Sequence, residues 1–130
     1  MSDAGNNKKR VLIVDDDPAY ARMVRAFIKD IYRADIAISG EQAITFLHKV
    51  PADEGVDLIL LDCEMPVADG PAVFKMLRED PLTKRIPVVF LTGNATPALI
   101  GRIMELEPEG YITKTATREE LLGYIAERLL

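Results

Sequence analysis

Residues 57–70 read Asp-Leu-Ile-Leu-Leu-Asp-Cys-Glu-Met-Pro-Val-Ala-Asp-Gly. Leu58, Ile59, Leu60 and Leu61 are apolar on consecutive positions. Consecutive apolar residues in a strand require cover on both faces, which is the pattern of a central parallel strand. The expected strand spans Val56–Leu61, and Asp62 stands at its carboxyl end. A loop over Pro66–Gly70 then leads into a helix expected at Ala72–Arg78.

Working outward, Val11–Val14 is a second β-rich run, too short for a helix and closed by Asp15-Asp16-Asp17. From Ala19 to Tyr32, apolar residues fall at Tyr20, Met23, Val24, Phe27, Ile28 and Ile31, the spacing of one helix face, and Pro18 suits the first turn. Asp35–Ile38 reads as a weaker strand. Ser39 with Gln42 suggests a capping box for a helix running to about Lys49. Downstream, Ile86–Leu91 is a strand with Pro87 near its start, where proline is tolerated. Thr96–Leu106 is a helix, Tyr111–Thr113 a short strand, and Thr117 with Glu120 caps a last helix. Strand and helix alternate five times. The fold class is therefore α/β, a doubly wound five-stranded parallel sheet, (βα)5, with right-handed crossovers and helices on both faces. The common order for such a sheet is 2-1-3-4-5.

The 130 residues are 48% apolar and 28% charged, which is material for one domain and enough to bury a core without disulfides. Residues 1–8 read as a disordered polar tail and 9–130 as the domain. The single cysteine, Cys63, forms no internal disulfide, which fits a reducing cytoplasm; it is expected to be buried and inert. The only histidine, His48, falls on the solvent side of a predicted helix, so zinc sites and Ser-His or Cys-His catalysis are disfavoured. Sixteen basic against twenty-one acidic residues give a net charge of −5, which argues against nucleic-acid binding by this domain. No stretch approaches the ~18 apolar residues of a membrane span, and no signal peptide is evident.

In an open doubly wound sheet, ligands bind beyond the carboxyl ends of the strands where the order reverses. There the chain places Asp15, Asp16 and Asp17 after the first strand, Asp62, Cys63 and Glu64 after the third, Thr92 after the fourth and Lys114 after the fifth. Clustered carboxylates call for a cation, and oxygen-only donors with open water positions suit Mg²⁺. A lysine and a hydroxyl beside such a metal would hold phosphoryl oxygens. No GxxxxGK[ST] or GxGxxG string occurs. What remains is a carboxylate acting as nucleophile toward phosphorus.

The strings VLIVDDDP, DLILLDCEMPVADG, PVVFLTG and GYITK, in that order and each at a predicted strand end, resemble the receiver domains of bacterial two-component response regulators over about Lys9–Leu130. The resemblance implies a flavodoxin-like order 2-1-3-4-5 and a phosphoryl switch driven by a sensor histidine kinase or phosphotransfer protein. It implies Asp62 as phosphoacceptor. Asp15 and Asp16 correspond to the Mg²⁺ pair, Asp16 the direct ligand, joined by Asp62 and the backbone carbonyl of Glu64. Thr92 corresponds to the switch hydroxyl, Lys114 to the phosphate-binding lysine and Tyr111 to the switch aromatic. A phosphorylation-dependent homodimer through the fourth helix, fifth strand and fifth helix is implied as well.

Three positions depart from the family pattern. Thr115 replaces the usual proline after the lysine; a trans Lys114–Thr115 bond is expected, since a non-proline cis bond costs ~3 kcal/mol, with Lys114 still reaching Asp62 by its rotamer. Glu107-Pro108 stands where Gly-Ala is common, removing the easy left-handed glycine cap. Glu64 puts a carboxylate at the mouth of the site. Thr115 and Glu107-Pro108 leave an alternative: a pseudo-receiver that binds partners without productive phosphorylation. A phosphatase with an aspartate nucleophile ranks last, because it would want DxD after the first strand and a cap insertion. The chain stops in its last helix, so a stand-alone receiver and a module of a longer protein are both open.

Overall fold

The computed structural model describes residues 8–51 and 54–130; all but Lys8 of the expected N-terminal tail lies outside these residues. Ten elements alternate: β1 Arg10–Val14, α1 Pro18–Ile28, β2 Arg33–Ala37, α2 Gly40–Lys49, β3 Leu58–Asp62, α3 Gly70–Glu79, β4 Val88–Thr92, α4 Pro97–Met104, β5 Gly110–Thr113 and α5 Arg118–Arg128. The five strands form one parallel sheet in the order β2-β1-β3-β4-β5. That is the flavodoxin-like α/β architecture expected.

Strand alternation divides the core into two layers. Val11, Ile13, Leu58, Leu60, Val89, Leu91 and Ile112 pack with Ala21, Val24 and Ile28 of α1 and Leu121 and Ile125 of α5. Leu12, Val14, Ile59, Leu61, Val88 and Phe90 pack on the other face with Ala43 of α2, Val73, Phe74 and Leu77 of α3 and Ile103 of α4. Every residue of β3 and β4 is buried. The apolar runs of the sequence are thus the two-sided strands they were read to be.

Element boundaries move where hydrogen bonding overrides pattern. β2 starts at Arg33 rather than Asp35, because the Arg33 N–H donates to Lys9 O at 2.8 Å and Arg33 pairs with Arg10. Its charged side chains are accommodated as on many edge strands: Arg33 pairs with Glu54 at 2.8 Å, and Asp35 with Arg10 at 3.5 Å. α1 stops at Ile28, whose carbonyl accepts from the N–H groups of both Ile31 and Tyr32 in a closing turn; Ile31 is exposed. β4 starts at Val88, since Pro87 has no N–H to give the ladder and contributes only its carbonyl, to Ile59 N. α4 ends at Met104, and Glu107 takes the left-handed conformation, φ 58°. His48 is not merely solvated: its Nε2 pairs with Asp80 Oδ2.

Candidate phosphoryl and metal site

The carboxyl ends of β1, β3 and β5 carry the site. Continuing the alternation Val11-Ile13-Asp15, Leu58-Leu60-Asp62 and Ile112-Lys114 assigns these three residues to the sheet face covered by α1 and α5. Asp15 and Asp62 are both buried, at 0% and 2% exposure. The Lys114 ammonium lies 2.8 Å from Asp15 Oδ2 and 3.3 Å from Asp62 Oδ1. No cis peptide bond occurs among the described residues, so the Lys114–Thr115 bond is trans and the lysine reaches Asp62, as expected, and Asp15 besides.

The aspartate triplet divides its work. Asp15 Oδ1 accepts from the Asp17 N–H at 2.9 Å. Asp17 is the N-cap of α1, accepting from the N–H groups of Ala19 and Tyr20. Asp16 is exposed. One carboxylate oxygen from each of Asp15, Asp16 and Asp62 falls within 4.8 Å of the others.

After β3, the Glu64 N–H donates to Asp62 Oδ1 at 3.1 Å, and the Glu64 side chain is exposed. The loop then doubles back: the Gly70 N–H donates to Cys63 O at 3.0 Å. A Cβ at position 70 would stand 2.4 Å from Asp62 O and 2.8 Å from Cys63 Cα. Only glycine allows this approach. Cys63 is buried and its thiol is pushed up to about 12, by burial first, so it is held as the neutral, unreactive form.

Burial pushes the Asp62 carboxyl up to about 7, with the charge of Asp15 adding to the effect; the Glu64 N–H and the Lys114 ammonium oppose it. The Lys114 pKa is raised as well, from opposed causes. Burial alone would lower its pKa, but the Asp15 contact and the charges of Asp62 and Asp15 prevail and raise it. The ammonium is paired with the buried Asp15 Oδ2, which has no other partner. Three carboxylates are thus grouped with a single ammonium. The set is all oxygen and carries excess negative charge, which fits a hard divalent cation.

Thr92 is fully buried at the end of β4, and its hydroxyl accepts from the Asn94 N–H at 3.1 Å. Tyr111, half-buried on β5, packs against the layer shared with α2, α3 and α4. The structure thus gathers Asp15, Asp16, Asp62 and Lys114, while Thr92, at the end of β4, and Tyr111, within β5, belong to the opposite face of the sheet.

One neighbour of the site escaped the sequence reading. Tyr20, taken there as one of a stripe of helix-face apolar residues, lies beneath Lys114, whose Nζ is 4.7 Å from the ring centroid. Burial raises the Tyr20 pKa, Lys114 opposes this, and Asp15 and Asp62 add to it.

Residues 11–126 match the family model described as "Response regulator receiver domain". The chain belongs to this family. It is a signalling phosphoacceptor module of two-component systems, of the CheY-like type. Response regulator Rcp1 of Synechocystis is 33% identical over 131 residues, covering 96% of this receiver and 89% of that protein. A probable cyclic di-GMP phosphodiesterase of Vibrio cholerae is 38% identical over 87 residues, 67% of this chain but only 19% of that protein. Among solved structures, the Vibrio cholerae chemotaxis protein CheY4 superposes with a TM-score of 0.83 at 27% identity, covering 95% of the receiver and 99% of that chain. A putative response regulator from Chloroflexus aurantiacus gives 0.84 at 28%, covering 94% and 98%. No described helix of the receiver is long and apolar enough to cross a membrane.

Proposed function

We propose that Asp62 is the phosphoacceptor, that the ion held beside it is Mg²⁺, and that the donor is the phosphohistidine of a sensor histidine kinase or phosphotransfer protein. The observation that carries this reading is the buried Asp62 carboxylate within 3.3 Å of Lys114 and grouped with Asp15 and Asp16. An Asp62 oxygen attacks phosphorus, the new O–P bond forms as the P–N bond to imidazole breaks, and the departing imidazole nitrogen takes up a proton. Asp15, Asp16, Asp62 and the Glu64 carbonyl would hold Mg²⁺, which when bound neutralises charge on the phosphoryl oxygens. Lys114 binds a further phosphoryl oxygen as a positive charge already placed.

The aspartyl phosphate then biases a two-state equilibrium. In our reading Thr92 turns its hydroxyl toward the phosphoryl group, giving up the Asn94 N–H, and Tyr111 follows on the adjacent strand. The surface of α4, β5 and α5 would change, strengthening a homodimer or a partner contact there. Support for the kinase as donor comes from relatives such as signal transduction histidine-protein kinase BarA of Escherichia coli, 26% identical over 93% of this chain. A cytoplasmic location follows from such a donor and the unpaired Cys63.

The pseudo-receiver alternative drew on Thr115, and Lys114 reaches Asp62 despite that residue. Phosphoramidate, whose P–N bond resembles that of phosphohistidine, provides the test. With Mg²⁺, intact mass should rise by one phosphoryl group, and chelation with EDTA should prevent it. A chain unchanged in mass with Mg²⁺ present would establish the pseudo-receiver reading instead.

A further inference from the structure

We propose that Tyr20 is a positioning residue for Lys114: its ring, on the first turn of α1, steadies the ammonium beside Asp15 and Asp62 and so sets how fast Asp62 accepts a phosphoryl group. This rests on the reading of Asp62 as phosphoacceptor and adds to it a residue from outside the strand ends.

Lys114 Nζ is 4.7 Å from the Tyr20 ring centroid, inside the ~6 Å over which a cation is drawn to an aromatic face. A lysine ammonium is a point charge on a flexible stem, so its aim depends on what surrounds it. The two carboxylates supply attraction, yet a cation in the site would compete for their oxygens, and phosphorylation changes what Asp62 presents. The attraction of the ring depends on neither. Tyr20 is itself well fixed. Asp17 accepts from the N–H groups of Ala19 and Tyr20 at 3.0 and 3.4 Å, Pro18 sets the first helical residue, and Ala21 and Val24 bury the next turn against the sheet. The contact needs the ring and not the hydroxyl, so phenylalanine should substitute for tyrosine and leucine should not.

The test is a double-mutant cycle on the full chain, with Tyr20→Leu, Tyr20→Phe and Lys114→Met, read as the rate of phosphorylation by phosphoramidate and Mg²⁺. Tyr20→Leu should slow the reaction about 3–10-fold with Lys114 present and less than about 1.5-fold with Lys114→Met, because the ring acts through the ammonium. Tyr20→Phe should restore the rate to within about 2-fold. The same cycle on urea unfolding of the unmodified chain should show the two sites coupled by about 2–5-fold in the unfolding equilibrium constant. A Tyr20 residue that merely packs would give equal slowing in both backgrounds and no coupling; either result overturns the proposal while Asp62 remains phosphorylated. A wild-type chain that gains no phosphoryl group overturns the parent reading, and this one with it.

Discussion

Among the described residues, two side chains occupy backbone conformations that suit glycine, one in the loop after β3 beside the site and one in the turn before β5 at the other end of the sheet. Glu107 has φ 58° and Val67 has φ 69°. Val67 sits at the middle of a γ-turn closed by the Ala68 N–H to Pro66 O at 2.8 Å, with its side chain fully exposed. Left-handed backbone costs an L-residue roughly 1–2 kcal/mol, of which glycine's greater unfolded freedom returns part. Glu107→Gly is expected to stabilise by about 0.5–1 kcal/mol in urea unfolding. The missing glycine cap noted in the sequence is thus met by strain at Glu107, not by a different helix ending. Gly70 poses the opposite case. Gly70→Ala would drive a Cβ into Asp62 O and Cys63 Cα, backbone atoms with little room to yield. A loss of about 2–3 kcal/mol in the same measurement is expected, together with weaker Mg²⁺ binding because the peptide of Asp62 must shift.

At the level of elements, the sheet was legible because β3 and β4 are buried on both faces, leaving their apolar runs unmixed with polar residues. The site was legible for a related reason: Asp15 and Asp62 each end such a run, Lys114 follows the short β5, and parallel pairing brings these ends together. β2 was misplaced by two residues because its charged side chains lie at a sheet edge, where ion pairs with Arg10 and Glu54 replace hydrophobic cover. Tyr20 was missed because its partner is 94 positions away in the chain, and a helix face carries no sign of which apolar residue meets a charge. The triplet Asp15-Asp16-Asp17 also gave no indication of which carboxylate caps α1. The structure assigns that to Asp17. Asp17→Ala should therefore cost about 1 kcal/mol of stability, typical of a lost N-cap. Calorimetric Mg²⁺ titration should show its affinity changed by less than about 3-fold, whereas Asp16→Ala should abolish binding, since metal sites depend on their ligands.

Across the whole molecule, the site makes the unphosphorylated receiver less stable than its core allows. Asp62 titrates at about 7 when folded against an ordinary 3.8. Between those values the folded chain retains a proton that the unfolded chain has released, so stability contributed by this group is full below about pH 4 and falls as pH rises to about 7. Asp62→Asn should flatten that part of the stability profile and raise stability at pH 8 by about 1–3 kcal/mol. Mg²⁺ should act in the same direction, since a ligand at 100 times its Kd stabilises by about 2.7 kcal/mol, with the effect fading toward pH 4 as protons compete for the carboxylates. Thermal unfolding at pH 4.5 and 8, with and without Mg²⁺, checks both. These effects follow from one assignment, that the chain's chemistry is centred on the Asp62 carboxylate. Intact-mass measurement of the wild-type chain and Asp62→Asn, each incubated with phosphoramidate and Mg²⁺, tests that assignment most directly. One added phosphoryl group on the wild type and none on Asp62→Asn is predicted; equal gain by both chains, or none by either, would contradict it.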